Sequence, residues 1–486
     1  MISAVKPIAF WYFLEITYYL AVVLLAIVII QENRKPLKTI SWIMVLLLLP
    51  FIGMIIYFFL GHNFKKARLF DEKYYHDLKQ MERLFSEKKL ELRDHRKELE
   101  NLLLDKFKIA NLLLNNNKAL LTRHNKVTVL QNGKYTFNTI LSDIEKATSF
   151  IHLEYFIFAD DKIGNKVKNA LIKKAGQGVE VRFIFDDVGS WGLSRKFINE
   201  LRLAGIKVYS FMPVRFPMLT SKINYRNHRK IIVIDGKVGF VGGINVADKY
   251  IEGHKKLGKW RDTHLRIEGE AVRALQLVFV IDWYFLSNML LSDKNKYFPE
   301  YSSPEKTMLQ IVTSGPDSGA HIMEAYFLAI SIAKKNVYIS TPYFFPNESI
   351  LNALKTISLS GVNVKIILPS KSDAQVVQYS AMSYIDELLE ANIEVYLYKN
   401  GFPHAKVILV DQNFSSVGTA NMDNRSFDQS LEINAIIYDE QINKQLTADF
   451  FNDLESCELI TKENWACRSK WQKILESFAR LLAPLF

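Results

Sequence analysis

Two stretches of the chain carry the same pattern of chemically capable residues, H-x-K-x4-D. The first is His228-Arg-Lys230-Ile-Ile-Val-Ile-Asp235, followed by Gly242-Gly243-Ile-Asn245. The second is His404-Ala-Lys406-Val-Ile-Leu-Val-Asp411, followed by Gly418-Thr419-Ala-Asn421. One such match arises readily by chance in a basic chain, whereas two with the same downstream spacing of small residues and asparagine do not. Alternation along a strand puts His228 with Lys230, and His404 with Lys406, on one face, so a base or nucleophile and a fixed cation point together in each copy. Folding the first copy about Gly236 and Lys237 sets Asn245 opposite His228, and the same fold of the second sets Asn421 opposite His404. Gly242, Gly243, Gly418 and Thr419 are small enough to let a phosphate approach the backbone. The set reads as an anion cradle of two His, two Lys and two Asn, with Asn245 and Asn421 as phosphate-binding side chains. Cations beside both histidines disfavour a metal, so the expected chemistry is stabilisation of a phosphorus-centred oxyanion with no divalent ion and no cofactor.

A nucleophilic histidine also needs a carboxylate to orient it and balance its charge. Asp235 and Asp411 each stand seven residues after their histidine (235 − 228 = 7, 411 − 404 = 7), which is about 23 Å of extended strand. They are expected to support the motif by capping the turn or forming a structural ion pair. Asp262, in Trp260-Arg-Asp-Thr-His, and Glu432, in Ser430-Leu-Glu-Ile, fit the orienting role at offsets of 34 (262 − 228) and 28 (432 − 404) from the histidine of their own half. The competing assignment for Asp262 is a surface pair with Arg261 or Arg266. The expected mechanism has two steps: one histidine attacks a phosphodiester to give a phosphohistidine, and the other protonates the leaving alcohol and later deprotonates the incoming one.

The elements that must position these residues repeat along the chain. Residues 149–156 match 335–344, residues 178–185 match 361–368 and residues 205–209 match 392–396, each an apolar, β-rich run. Strands alternating with helical stretches predict an α/β fold with a central mixed sheet in each half, the two pseudo-symmetric halves (126–300 and 301–465) facing each other. Ahead of them, residues 8–30 and 40–60 are almost wholly apolar and predict a two-helix transmembrane hairpin within residues 1–62. Residues 63–125, dense in Lys, Glu and Leu, read as a charged helical connector. A cleaved signal peptide is disfavoured, since Lys6 is the only preceding charge and no small-residue cleavage site follows. Glu15 falls within the first span, and a functional and an interfacial reading of it both stand. The charges Lys6, Lys65, Lys66 and Arg68, against Arg34, Lys35 and Lys38 in the loop, predict a cytoplasmic catalytic body.

Composition narrows the partners less. Of 486 residues, 62 are Lys or Arg and 51 Asp or Glu, a net charge of +11 that suits a phosphate-bearing partner without choosing lipid over nucleic acid. Cys457 and Cys467 lie in no zinc-like spacing and build no disulfide framework.

At its paired H-x-K-x4-D motifs the chain resembles the phospholipase D superfamily. The order of two apolar spans, connector and two such halves resembles that of bacterial cardiolipin synthases over essentially the full length, as do Asn33-Arg-Lys-Pro36, Trp42, Pro50, Gly53, Tyr57 and Gly61 around the second span. The resemblance implies transfer of a phosphatidyl group from one phosphatidylglycerol to the hydroxyl of another, with release of glycerol, at the bacterial cell membrane. It also implies acids at the offsets of Asp262 and Glu432, and His228 as nucleophile with His404 as acid and base. The alternatives are a lipid-hydrolysing phospholipase D, another phosphatidyltransferase such as a serine-using one, or a membrane-tethered nuclease. No basic and aromatic run forms an obvious single-strand platform, so nucleic acid is not the expected partner. Oligomeric state is not legible. Met212, Phe216, Met218 and Leu219 mixed with Arg215, Lys222 and Arg226 read as a headgroup loop or a buried connector. In the amphipathic segment 466–486, Trp471, Ile474, Leu475, Phe478, Leu481 and Leu482 recur at helical spacing, for membrane contact or for docking on the body.

Overall fold

The computed structural model describes residues 2–31, 36–49, 51–57, 96–214, 225–316 and 318–482. They fall into two compact units, Met1–Phe70 with Val214–Ile223 and Asp71–Pro213 with Asn224–Phe486.

The first unit is built on α1 (Ile2–Gln31), α2 (Pro36–Leu48) and α3 (Ile52–Ile56). Tyr18, Val22 and Ile29 of α1 close on Leu46 and Tyr57, with Leu25, Trp42 and Met54 packed around them. The Tyr18 hydroxyl donates to the Leu46 carbonyl, and Trp42 meets Tyr57 edge-on at 5.3 Å. The expected second span, 40–60, is interrupted: α2 ends at Leu48, and Phe51, at φ +58°, turns the chain into α3. Such a left-handed residue cannot continue a right-handed helix. Residues 58–60 of that span lie outside the described residues. Among the described residues no helix is long and apolar enough to cross a membrane.

In the second unit the strands of the first half are β1 (Thr122–Gln131), β2 (Phe150–Tyr155), β3 (Glu180–Asp186), β4 (Lys207–Phe211), β5 (Lys230–Ile234), β6 (Val238–Gly242), β7 (Lys259–Arg261) and β8 (Thr263–Gly269). Those of the second half are β9 (Thr307–Ser314), β10 (Asn336–Ser340), β11 (Phe344–Phe345), β12 (Asn363–Pro369), β13 (Glu394–Tyr398), β14 (Gly401–Pro403), β15 (Val407–Val410), β16 (Phe414–Gly418), β17 (Met422–Asp423), β18 (Glu432–Tyr438) and β19 (Cys457–Ile460). The six β-rich runs of the repeat are β2, β3 and β4, and β10, β12 and β13.

Strand order is the same in both halves, β1-β8-β6-β5-β2-β3-β4 against β9-β18-β16-β15-β10-β12-β13, with β19 added at the far edge of the second. In each half three strands run parallel and the motif strand joins them antiparallel. The halves do not keep a sheet each, as the repeat predicts. They share one 15-stranded mixed sheet, joined where β1 meets β9 at Thr122 opposite Leu309 and Asn125 opposite Thr307. Separate sheets would leave β1 and β9 as open edges with rows of unpaired N–H and C=O groups, and pairing the two edges removes both rows. The motif strands sit inside this sheet and, Lys230 apart, are apolar, β5 as Lys-Ile-Ile-Val-Ile and β15 as Val-Ile-Leu-Val, every residue buried. Sheets covered on both faces require such runs.

Helices Arg96–Leu103 and Phe107–Asn116 place Leu99, Leu103, Ile109 and Leu113 in the same buried cluster as Ile322, Ile339 and Ile366. From Leu99 to Leu121, then, the 63–125 segment contributes to the second half's core, and its last residues open β1; residues 63–95 lie outside the described residues.

Asp235 and Asp411 both adopt φ +53°, each opening a three-residue turn after its motif strand. Asp235 accepts from the backbone N–H of Thr148, Ser149 and Phe150 at 2.8–2.9 Å. Asp411 accepts from those of Lys334 and Lys335 and from Lys106 Nζ at 2.9 Å. Each carboxylate pins the turn to the start of the neighbouring strand, far from the histidine end. Asp235→Ala orphans backbone donors and is expected to destabilise the fold by about 2–3 kcal/mol. The thermal midpoint in detergent should fall, while turnover per folded molecule well below the midpoint stays within about twofold of the parent. Lost turnover at an unchanged midpoint would place Asp235 in the chemistry instead.

Candidate active site

Each histidine lies just ahead of its motif strand, in a segment held by the other half. The Asn227–Leu431 bridge, with His228 N–H donating to the Leu431 carbonyl at 2.9 Å, ties the first motif to the start of β18. β14 runs parallel to β7, Pro403 opposite Arg261, and His404 N–H donates to the Arg261 carbonyl at 2.7 Å. The acids follow directly: His228 Nδ1 is 2.9 Å from Glu432 Oε2, and His404 Nδ1 is 2.7 Å from Asp262 Oδ2. The acid of each histidine therefore comes from the opposite half, not from its own as the 34 and 28 offsets predict. Chain proximity misleads because β7 and β14, and the Asn227–Leu431 bridge, cross between the halves at the site.

With Nδ1–H donated to a carboxylate, a neutral imidazole presents its Nε2 lone pair outward, the tautomer a nucleophile or base requires. Both rings sit among cations, His404 buried and His228 largely so. Burial first, and then Lys230 beside His228 and Lys406 beside His404, hold both histidines well below the ordinary imidazole range, so both are neutral at pH 7. Burial pulls Lys230 down to about 7 and Lys406 to about 8, against the opposing charges of Glu432 and Asp262. Burial pushes Asp262 and Glu432 up to about 7, against the lowering effect of the same lysines. Lys230 Nζ donates to the His228 carbonyl at 2.7 Å and Lys406 Nζ to that of His404 at 2.6 Å, which anchors both ammonium groups. Lys406 Nζ also stands 3.0 Å from Nδ1 and 3.1 Å from Nε2, over the His404 ring. The charge of Lys406 reaches His228, and that of Lys230 reaches His404, so the two motifs form one electrostatic cluster. A cleft of about 280 Å³ opens onto His228 and Glu432, walled by Phe156, Tyr343, Asp373 and Arg425. Among the described residues no group of three or more His, Cys, Asp or Glu is placed to hold a metal ion.

A family model described as "Cardiolipin synthase, PLD-like domain" matches residues 140–259 and 326–454, and a phospholipase D-nuclease N-terminal model matches residues 20–62. A cardiolipin synthase of Geobacillus sp. (strain WCH70) is 44% identical over 484 residues, covering 97% of this chain and 93% of that one. The chain belongs to the cardiolipin synthase family. The major cardiolipin synthase of Bacillus subtilis (strain 168) is 42% identical over 477 residues, 97% of this chain and 98% of that one. The crystal structure of phosphatidylserine synthase from Haemophilus influenzae shares the fold, with a TM-score of 0.58 and 15% identity over 78% of this chain and 98% of that one.

Three details of this family member's site depart from the sequence expectation. The β5–β6 hairpin pairs Ile231 with Val241 and Ile234 with Val238, so it is centred on Gly236, and β15–β16 is centred on Gln412, each shifting the partner of a strand residue by one from the expected register. Each loop has three residues where the expected register requires an even number, which moves the asparagines out of register with the histidines. The Asn245 side chain is then taken up internally, accepting from Ile157 N–H and donating to the Tyr250 hydroxyl. Asn421 lines the cleft, and its Oδ1 is buried with no protein partner. Two of the glycines make room for neighbouring side chains: a Cβ at Gly243 would stand 2.2 Å from Asp262 Oδ1, and one at Gly418 would stand 2.3 Å from Asn434.

Two cations were missed. Lys249 and Arg425 occupy equivalent places, 21 residues after their histidines (249 − 228 and 425 − 404). The charge of Lys249 acts on His404, and its Nζ lies 4.4 Å from the Trp260 ring centroid; the charge of Arg425 acts on His228. Carrying the repeat comparison four residues past each asparagine would have found them. Of the expected headgroup loop, Met212 and Arg226 are buried, and Arg226 lines the cleft; Arg215, Phe216, Met218, Leu219 and Lys222 lie outside the described residues.

Proposed function

We propose that the chain is a cardiolipin synthase, moving a phosphatidyl group from one phosphatidylglycerol to the hydroxyl of a second and releasing glycerol. The observation that carries this reading is the crossed pair of neutral histidines, each with its Nδ1 on a carboxylate, His228 within the field of Lys230, Lys406 and Arg425 and His404 within that of Lys406, Lys230 and Lys249. His228 Nε2 attacks the phosphorus, the P–O bond to glycerol breaks, and the departing oxygen takes a proton from His404. The second phosphatidylglycerol then gives its hydroxyl proton back to His404 as its oxygen displaces His228. Burial first, and then the charges of Lys406, Lys230 and Lys249, hold His404 neutral in the free site. The diester's negative charge offsets them, so the protonated form becomes accessible once substrate is bound. The same cations stabilise the charge on the equatorial oxygens in both transition states.

The N-terminal unit supports a bilayer address. Ile16, Leu20, Val23, Leu24, Ile27 and Ile30 line one exposed face of α1 while Tyr18, Val22 and Ile29 fill the buried one, and a helix apolar on both sides is soluble only in lipid or protein. We read this unit as a membrane-embedded hairpin with the catalytic unit on the cytoplasmic side.

The test is to incubate the purified protein with phosphatidylglycerol vesicles. Glycerol and cardiolipin should appear in equal amounts with no added metal. Phosphatidic acid as sole product would make the enzyme a hydrolase and overturn the proposal.

A further inference from the structure

The C-terminal helix, Lys470–Leu482, docks by the wrong side for a soluble protein. Its inward residues are Glu476, only 2% exposed, Ala479 at 6%, and the half-buried Gln472 and Arg480. Glu476 accepts from Arg468 Nε at 3.0 Å and from Gln472 Nε2 at 2.9 Å. Arg480 pairs with Glu387 and stacks 4.5 Å from the Tyr384 ring centroid. The face turned outward is the apolar one. Trp471 is 74% exposed, Phe478 67% and Leu481 73%, with Ile474 and Leu475 at 44% each. At 100° per residue these five side chains fall within about 120° of arc, an unbroken stripe roughly 15 Å long. Water-soluble helices bury such a stripe and expose the polar side.

We propose that this stripe is a second membrane-contact surface, seated in the headgroup region of an anionic bilayer. Charge selects the occupant: Lys470 is exposed at the edge of the stripe and Lys473 further round the helix, and from Lys462 to Leu482 the five basic residues outnumber the two acidic ones. A lipid surface rich in phosphatidylglycerol matches an apolar stripe edged with cations, with a tryptophan at its end, better than a protein surface does. Position gives the contact a use. The helix packs along Gln375–Met382, whose Val377, together with Asp373 and Ala374 just before it, walls the cleft onto His228. A bilayer touching the stripe therefore lies next to the cleft, and a phosphatidylglycerol headgroup reaches the histidines without the lipid leaving the membrane. That use rests on the proposed function; the contact itself does not.

The experiment places a reporter on the stripe of the full-length protein in proteoliposomes. Phe478→Cys, in a background of Cys457→Ser and Cys467→Ser, is labelled with an environment-sensitive fluorophore. In vesicles of phosphatidylglycerol and phosphatidylcholine the emission should shift to the blue and be quenched by lipids with a nitroxide near the headgroup, and less so in phosphatidylcholine alone. Emission typical of water, or quenching that tracks protein density because a second copy covers the stripe, would overturn the proposal. Trp471→Glu with Phe478→Glu should cut product formation on vesicles about tenfold or more, yet leave turnover of short-chain, monomeric phosphatidylglycerol unchanged. Equal loss on both substrates would mean a purely structural helix. A parent protein that binds through the stripe but makes no cardiolipin would retire the functional reading alone.

Discussion

His228→Asn is expected to abolish cardiolipin formation, with turnover falling by about ten-thousandfold, and to leave no covalent phosphatidyl-enzyme after acid quench. His404→Asn should be equally inactive on phosphatidylglycerol but still able to form the intermediate when the leaving group needs no protonation. The two histidines have matching environments, each neutral and each bonded through Nδ1 to a carboxylate. The asymmetry between them is access. His228 lines the cleft, and its side chain is 15% exposed against 8% for His404. A nucleophile must touch phosphorus from the open side, whereas an acid need only reach the departing oxygen. With a phosphatidyl ester of p-nitrophenol, His404→Asn should therefore release about one equivalent of nitrophenol in a burst and carry the label on His228. Label on residue 404 in the parent protein, or a burst from the His228→Asn variant, would reverse the roles.

The second large effect separates the two acids. Because the pairs cross between the halves, Glu432→Gln should slow formation of the intermediate, and Asp262→Asn should slow the proton transfers of His404. On the nitrophenyl ester, Asp262→Asn is expected to keep its burst while steady turnover falls by about a hundredfold or more; Glu432→Gln should lose the burst rate by a similar factor. Pairing within each half would exchange these outcomes. The parent's kcat/KM should also fall on both sides of neutrality. As pH drops through about 7, Asp262 and Glu432 gain protons and lose the charge that orients and balances their histidines. As pH rises through 7 to 8, Lys230 and Lys406 lose theirs and the cradle loses its positive charge. These limbs belong to the coupled cluster and not to single residues. Replacing Asp262 by Asn leaves one titrating acid, so the acid limb should change shape, which a purely structural defect would not produce.

How much of this was legible in the residues depended on distance along the chain. The H-x-K-x4-D copies, the β-rich repeat and the alternation that aligns each histidine with its lysine are local, and a strand's period of two is enough to read them. That Asp235 and Asp411 are remote from the reaction also followed from strand rise alone. Hairpin register already failed at one residue, because a three-residue loop and an even one share the same turn composition. The acid of each histidine was out of reach: Glu432 and Asp262 stand 204 and 142 residues from their partners. Their pairing follows from contacts between the halves, β7 with β14 and Asn227 with Leu431. The outward stripe on the last helix is a tertiary fact of the same kind, since helical spacing names an apolar face but not which face the body covers. The sequence by itself determined the paired histidine and lysine motifs and the twofold plan, because those are set by side-chain identity and short-range periodicity. The tertiary structure alone decided which acid serves which histidine, because one continuous sheet and crossed backbone bridges bring the halves together where no local pattern records it.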